Sequence, residues 1–180
     1  MKSALLLLLF PLSCGHQTAP DYVTAHGLHF YTNGTAEQRK EVEYVTESLI
    51  QEFSQEPGYT ESKIRGVLWR NEFTVKVSRN PIPCVGTEGE CAGTFVGRAI
   101  QYKYERCLPM SAYLHELVHL LQLWVTGRYD PNHENREIWT DRSSVLIRTA
   151  LRTCEELCPL LCPSRLPSGE LALLTKNYTD

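Results

Sequence analysis

The chain has 180 residues, 42% of them hydrophobic and 22% charged, enough for one folded domain with a sizeable core and too few for a comfortable second. Lysine and arginine number 18 against 21 aspartates and glutamates, a formal charge of -3 with no basic block. That balance argues against nucleic-acid binding by phosphate neutralisation and against an acidic interaction tail.

The N-terminal segment MKSALLLLLFPLSCG sets Lys2 ahead of an apolar run from Ala4 to Leu12. About nine residues fall short of the roughly 20 that a membrane-spanning helix needs, so the pattern predicts a secretory signal and no permanent span. No Ala-x-Ala site follows, and the run stops at Leu12-Ser13-Cys14-Gly15. This end resembles a bacterial lipoprotein signal, with a small residue before the cysteine that takes the lipid and Pro11 where leucine is usual. The resemblance implies a signal peptide over residues 1–13, a lipidated Cys14 with a polar tether over 14–25, and a domain over 26–180. It implies a place in the bacterial cell envelope as an outer-membrane lipoprotein, the alternative being an ordinary periplasmic or secreted protein. Without Cys14, six of the seven cysteines remain, an even number that suits disulfides in an oxidising compartment. They fall into two groups, 84/91/107 and 154/158/162, so if all six pair, at least one bond joins the groups. Structural bridging is the simpler reading of Cys154, Cys158 and Cys162, which recur on adjacent turns of a predicted helix, and a metal site built from them is the alternative.

Along the domain, Gly27 to Tyr31 reads as a short strand ended by Asn33-Gly34. Thr35 followed by Gln38 forms a capping-box pattern and opens a helix to about Phe53, with Val42, Val45, Leu49 and Phe53 on one stripe. Val67, Trp69, Phe73, Val75 and Val77 predict strands, with a hairpin turning near Asn71. Residues 79–93 form a loop rich in proline, glycine and cysteine. Thr94 to Tyr104 reads as one strand with neither face cleanly apolar, which suits an edge or the rim of a cleft. A greasy helix follows from about Ser111 to Thr126, apolar over much of its circumference and stopped by Gly127, and it is expected to cross the core. A polar loop spans 128–140, and Asp141 is expected to cap a third long helix running to about Leu161. Trp69 and Trp124 are expected in the core. Trp139 lies just past the polar loop, in the core or lining a cleft. His26 and His29, at strand spacing, read as ordinary histidines.

Inside the greasy helix stands His115-Glu116-Leu117-Val118-His119. Two histidines four apart lie one turn above each other, so their imidazoles can converge on one ion. Glu116 sits about 100° round the helix and can reach a metal-activated water without being a ligand. Three polar groups in an apolar helix need partners, because unpaired burial is costly. This HExxH pattern resembles the zincin metallopeptidases. The resemblance spans about residues 94 to 161 and implies an α+β zincin-like fold, with a small mixed or antiparallel sheet packed on a central active-site helix and two further long helices. It implies a zinc ion held by His115, His119 and a third ligand, a peptide or protein substrate, and peptide-bond hydrolysis by a metal-activated water with Glu116 as general base.

The glycine and third histidine that extend the motif in metzincins are absent, since Gln122 and Val125 occupy those places. The third ligand must therefore return from beyond Gly127, where His133, Glu137, Glu134 and Asp130 are the candidates. His133 is the first choice, because it follows a Pro-Asn turn and is the remaining downstream histidine. Glu137 comes second. Asp130 or Asp141 could instead orient a ligand. Tyr102, Tyr104, Tyr129, Arg128 and Arg136 are candidates for stabilising an oxyanion, and the edge-like strand could bind an extended peptide. Two other functions compete with hydrolysis. One is a non-catalytic envelope binding or assembly protein that retains a zincin-like metal-binding fold. The other is a metal-binding or assembly protein stabilised by disulfides.

Overall fold

The computed structural model describes residues 19–31, 35–85, 88–104, 112–141 and 143–158. The signal segment, Cys14, Cys107, Cys162 and the end of the last expected helix lie outside them.

Local chemistry accounts for the first helix. The Thr35 hydroxyl accepts from the Gln38 N–H at 3.2 Å, and the Gln38 side chain accepts from the Thr35 N–H at 2.8 Å. This closed capping box opens α1, Ala36–Phe53, which buries Val42, Val45, Leu49, Ile50 and Phe53. A second helix stands where a hairpin was expected. Thr60 caps it through the Lys63 N–H, at 3.3 Å, and α2 runs Glu61–Asn71. Ile64, Val67 and Leu68 are its buried residues, spaced three and four apart, so the β-branched residues serve a helical stripe. Trp69 points away from that stripe and is 58% exposed, not in the core. Glu72, left-handed at φ 49°, ends the helix directly before a strand.

The sheet has five strands: β1 (Tyr22–Val23), β2 (His29–Tyr31), β3 (Thr74–Ser78), β6 (Gly93–Val96) and β7 (Ala99–Lys103). They lie in the order β1-β2-β3-β7-β6. The β2–β3 and β3–β7 pairs are parallel, and the two outer pairs are antiparallel. The sheet is thus mixed. Tyr22 and Val23, within the stretch read as a tether, pair with β2. The run expected as one strand over 94–104 is two, folded back at Gly97, whose φ of +61° suits glycine. The expectation of an edge is met by β6. A small hairpin, β4 (Ile82–Pro83) with β5 (Glu90–Cys91), is bridged by Cys84–Cys91, a bond within one cysteine group, and Cys158 is also disulfide-bonded.

The apolar helix is α3, Ala112–Leu121, extended by a π-helical turn over Gln122–Thr126 and closed by Gly127 at φ 74°. It packs on β6 and β7 and against α1 and α4. Leu114, Leu117, Val118, Leu120 and Leu121 are buried, as is the Val75–Ile100 pair at the middle of the sheet. The last described helix, α4 (Val145–Leu157), is capped by Ser144 through the Ile147 N–H at 3.3 Å. Asp141 pairs with Arg136 at 2.8 Å and does not cap it. Arg148 of α4 reaches α1, donating to Glu52 at 2.8 Å and to Glu56 at 2.9 Å. The result is a mixed α+β fold with a small sheet packed against several helices, α2 being the helix that the sequence reading lacked.

Neighbouring positions on α2 test this arrangement. Leu68→Ala is expected to cost about 2–5 kcal/mol in urea unfolding, whereas Trp69→Ala should stay within about 1 kcal/mol. Equal losses would contradict a buried stripe that excludes Trp69.

Candidate metal centre

His115 and His119 leave α3 on one face, with ring centroids 4.9 Å apart. The loop after Gly127 brings back His133, whose ring lies 4.9 Å from His115 and 5.0 Å from His119. Among the described residues these three form the one group of candidate ligands whose donor atoms all fall within 4.8 Å of one another. Of the four candidates for the third position, His133 joins the pair, and Glu137, Glu134 and Asp130 do not.

The loop is shaped for this. Asp130 accepts the Glu134 N–H on one oxygen and the Asn135 N–H on the other, each at 2.9 Å. Its carboxylate therefore holds the turn around His133 and is not hydrogen-bonded to an imidazole. His133 itself takes φ 56°, a left-handed conformation that non-glycine residues adopt at a cost.

The donor set can hold a metal ion. The Nε2 atoms of His119 and His133 are 3.2 Å apart. Two nitrogens sharing a tetrahedral ion at about 2.0–2.1 Å would lie about 3.3–3.4 Å apart. Burial holds the rings neutral, the form that offers a lone pair. It pushes His115 down to about 4, with the charge of His133 adding to the effect. It pushes His119 down to about 3, helped by His115 and His133 and opposed by Asp130. His133 is lowered by burial against Asp130. Nδ1 of His119 is buried without a hydrogen-bond partner.

Glu116 is 8% exposed beside this triad. A Cβ on Gly93, at the start of edge strand β6, would lie 2.9 Å from both its Cγ and its Oε1. The absent side chain at Gly93 thus leaves the space the carboxylate occupies. Burial alone raises its pKa to about 7. Of the five oxyanion candidates, Tyr129 touches the triad. Its ring is 5.6 Å from His119, and its phenol is raised by burial and by the charge of Glu116. Tyr102 is buried against Tyr113 at 5.3 Å, Tyr104 donates to Glu41 at 2.9 Å, and Arg136 is paired with Asp141 at 2.8 Å. Arg128 lines a neighbouring cavity of about 640 Å³ with Tyr59, Lys63, Gln122, Tyr129 and Asp130.

His26 lies elsewhere, between Glu43 and Glu47 at 3.5 Å each, with Nδ1 3.1 Å from Arg65. Glu43 also accepts from the Tyr22 hydroxyl and from the Ala25 N–H. This network joins β1 and the β1–β2 turn to α1 and α2. Gln122, not singled out in the sequence, closes one side of the triad with Trp139. Its only local signal is a polar side chain inside an apolar helix.

Comparison of the chain with family models, with curated proteins and with solved structures finds no match.

The depressed histidines set a sign for acid stability. Their folded pKa values lie below the ordinary 6.5, so in the metal-free chain the unfolded state binds more protons as pH falls below 6.5. The histidine contribution to stability is expected to fall from pH 6.5 to about 3, where His119 takes its proton in the folded chain, and to level off beneath, with the raised Glu116 offsetting part of the fall. Each such group contributes a slope of up to about 1.4 kcal/mol per pH unit. Urea unfolding in chelator across this range should show a shallower fall for His119→Ala than for the wild type.

Proposed function

We propose that the chain is a zinc-binding protein of the zincin type, with His115, His119 and His133 as the ligands of one ion. The convergence of three neutral imidazoles from a helix and a returning loop carries this reading. Its least demanding use is a non-catalytic binding or assembly module of the cell envelope, which needs nothing beyond the triad.

A second reading, peptide-bond hydrolysis, is favoured by one further observation: a buried carboxylate held between the triad and an edge strand. A bound divalent ion supplies Lewis acidity toward water and a carbonyl oxygen. Glu116, raised to about 7, is suited to accept a proton from the attacking water and to return it to the departing amine near neutral pH. The Tyr129 phenol, half-exposed and on a ring 5.6 Å from that of His119, would donate to the oxygen of the attacked carbonyl. β6 pairs with β7 on one side and ends the sheet, so an extended peptide could add to its other side.

Metal analysis and turnover separate these uses. The purified chain is expected to hold one zinc per molecule, His133→Ala to lose it and Glu137→Ala to keep it. Glu116→Gln should retain zinc under either reading. Under hydrolysis it should also lower peptide turnover by about 10²–10⁴-fold. Zinc-loaded wild type without turnover on any peptide would leave the binding module.

The envelope location rests on residues 1–14. Cys14→Ser is expected to abolish incorporation of labelled palmitate in a bacterial host. Labelling that persists in this variant would remove the lipid anchor.

A further inference from the structure

We propose that Trp139 is a positioning residue of the metal centre: its indole is the floor on which all three imidazoles rest, pinned by Gln122. This rests on reading the triad as a metal site.

Trp139 is 3% exposed, and its ring centroid lies 5.0 Å from His115, 4.4 Å from His119 and 4.3 Å from His133. One flat side chain thus touches all three candidate ligands, though they come from two separate segments. The indole Nε1 donates to Gln122 Oε1 at 3.0 Å, and Gln122 is itself 4% exposed. A buried indole N–H needs an acceptor, and a buried amide needs a donor, so the two satisfy each other.

The position of that bond gives it a function. Gln122 stands one turn after His119 and opens the π-helical turn at the end of α3. Trp139 ends the short turn that starts at Asn135, its N–H bonded to the Asn135 carbonyl at 3.0 Å. Asn135 is in turn held by Asp130 on the other side of His133. The Trp139–Gln122 bond therefore ties the loop that carries His133 to the helix that carries His115 and His119. Without it, the loop on this side of His133 keeps its backbone bonds to the start of α4, from the Val145 and Leu146 N–H groups at 3.0 Å each, and loses this tie to α3. Hydrogen bonds and packing beyond the ligands set ligand orientation, and losing such support typically weakens metal affinity by about 10–100-fold.

The test uses cobalt(II) as the probe on the full chain, because its visible absorption reports ligand geometry independently of any activity. Wild type, Trp139→Phe, Gln122→Leu, the double variant and Leu68→Ala are titrated, and each is checked by thermal unfolding. Trp139→Phe keeps a ring and removes the donor, and Gln122→Leu removes the acceptor. Each single variant is expected to bind cobalt about tenfold more weakly with an altered visible spectrum. The double variant should bind no worse than the weaker single one, since both remove one bond. Leu68→Ala, which destabilises the core at α2 and leaves the Trp139–Gln122 bond in place, should keep wild-type affinity and spectrum. Trp139→Phe and Gln122→Leu with wild-type affinity and spectrum, whatever their melting temperature, would overturn the proposal and leave Trp139 as packing. Wild type that takes up no cobalt would overturn the metal reading itself.

Discussion

Helix α3 carries His115, Glu116 and His119 out of the apolar core, with Glu116 and His119 buried and His115 partly so. Neutral imidazoles pay less for that burial than imidazolium ions, and burial lowers the pKa values of both histidines. The same burial raises Glu116, so one environment sets two ligands and one carboxyl at protonation equilibria far from those in water. Much of the surrounding structure can be understood as support for this helix. β6 and β7 lie along it, α1 and α4 flank it, and the loop from Gly127 covers its polar face.

That loop uses electrostatics in place of a hydrophobic core of its own. Asp130 holds two backbone N–H groups, and the turn so formed places His133 in the left-handed region. Backbone strain of this kind persists where surrounding contacts over-determine it. Here the contacts are the Asp130 turn on one side and Trp139 on the other. Of the two aspartates considered as partners for the histidines, Asp130 hydrogen-bonds the loop backbone and acts on His119 and His133 through its charge, and Asp141 pairs with Arg136.

Legibility followed the range of the interactions involved. The Thr35–Gln38 capping box closes within four residues, so its sequence pattern and its structure agree. The segment 61–71 was ambiguous, because Val67, Trp69 and the later valines favour strands while Thr60, Ile64 and Leu68 carry a helical cap and stripe. Burial of Ile64 and Leu68 against the core decides for the helix. The 94–104 run hid a turn, since Gly97 fits a strand pattern as readily as a reversal. In the same way, Asp141 and Ser144 are both plausible caps, and α4 begins where its packing against α1 starts.

That two histidines and a glutamate share one apolar helix is legible from consecutive residues, because helical periodicity is a local property. The sequence also narrowed the third ligand to four residues of one polar loop. That His133 joins them, that Tyr129 and not Tyr102 or Tyr104 lies beside His119, and that Trp139 touches all three rings emerges only once the chain is packed. These outcomes depend on how a loop returns across a helix, and that path is set by contacts between residues distant in the chain, which no local spacing encodes.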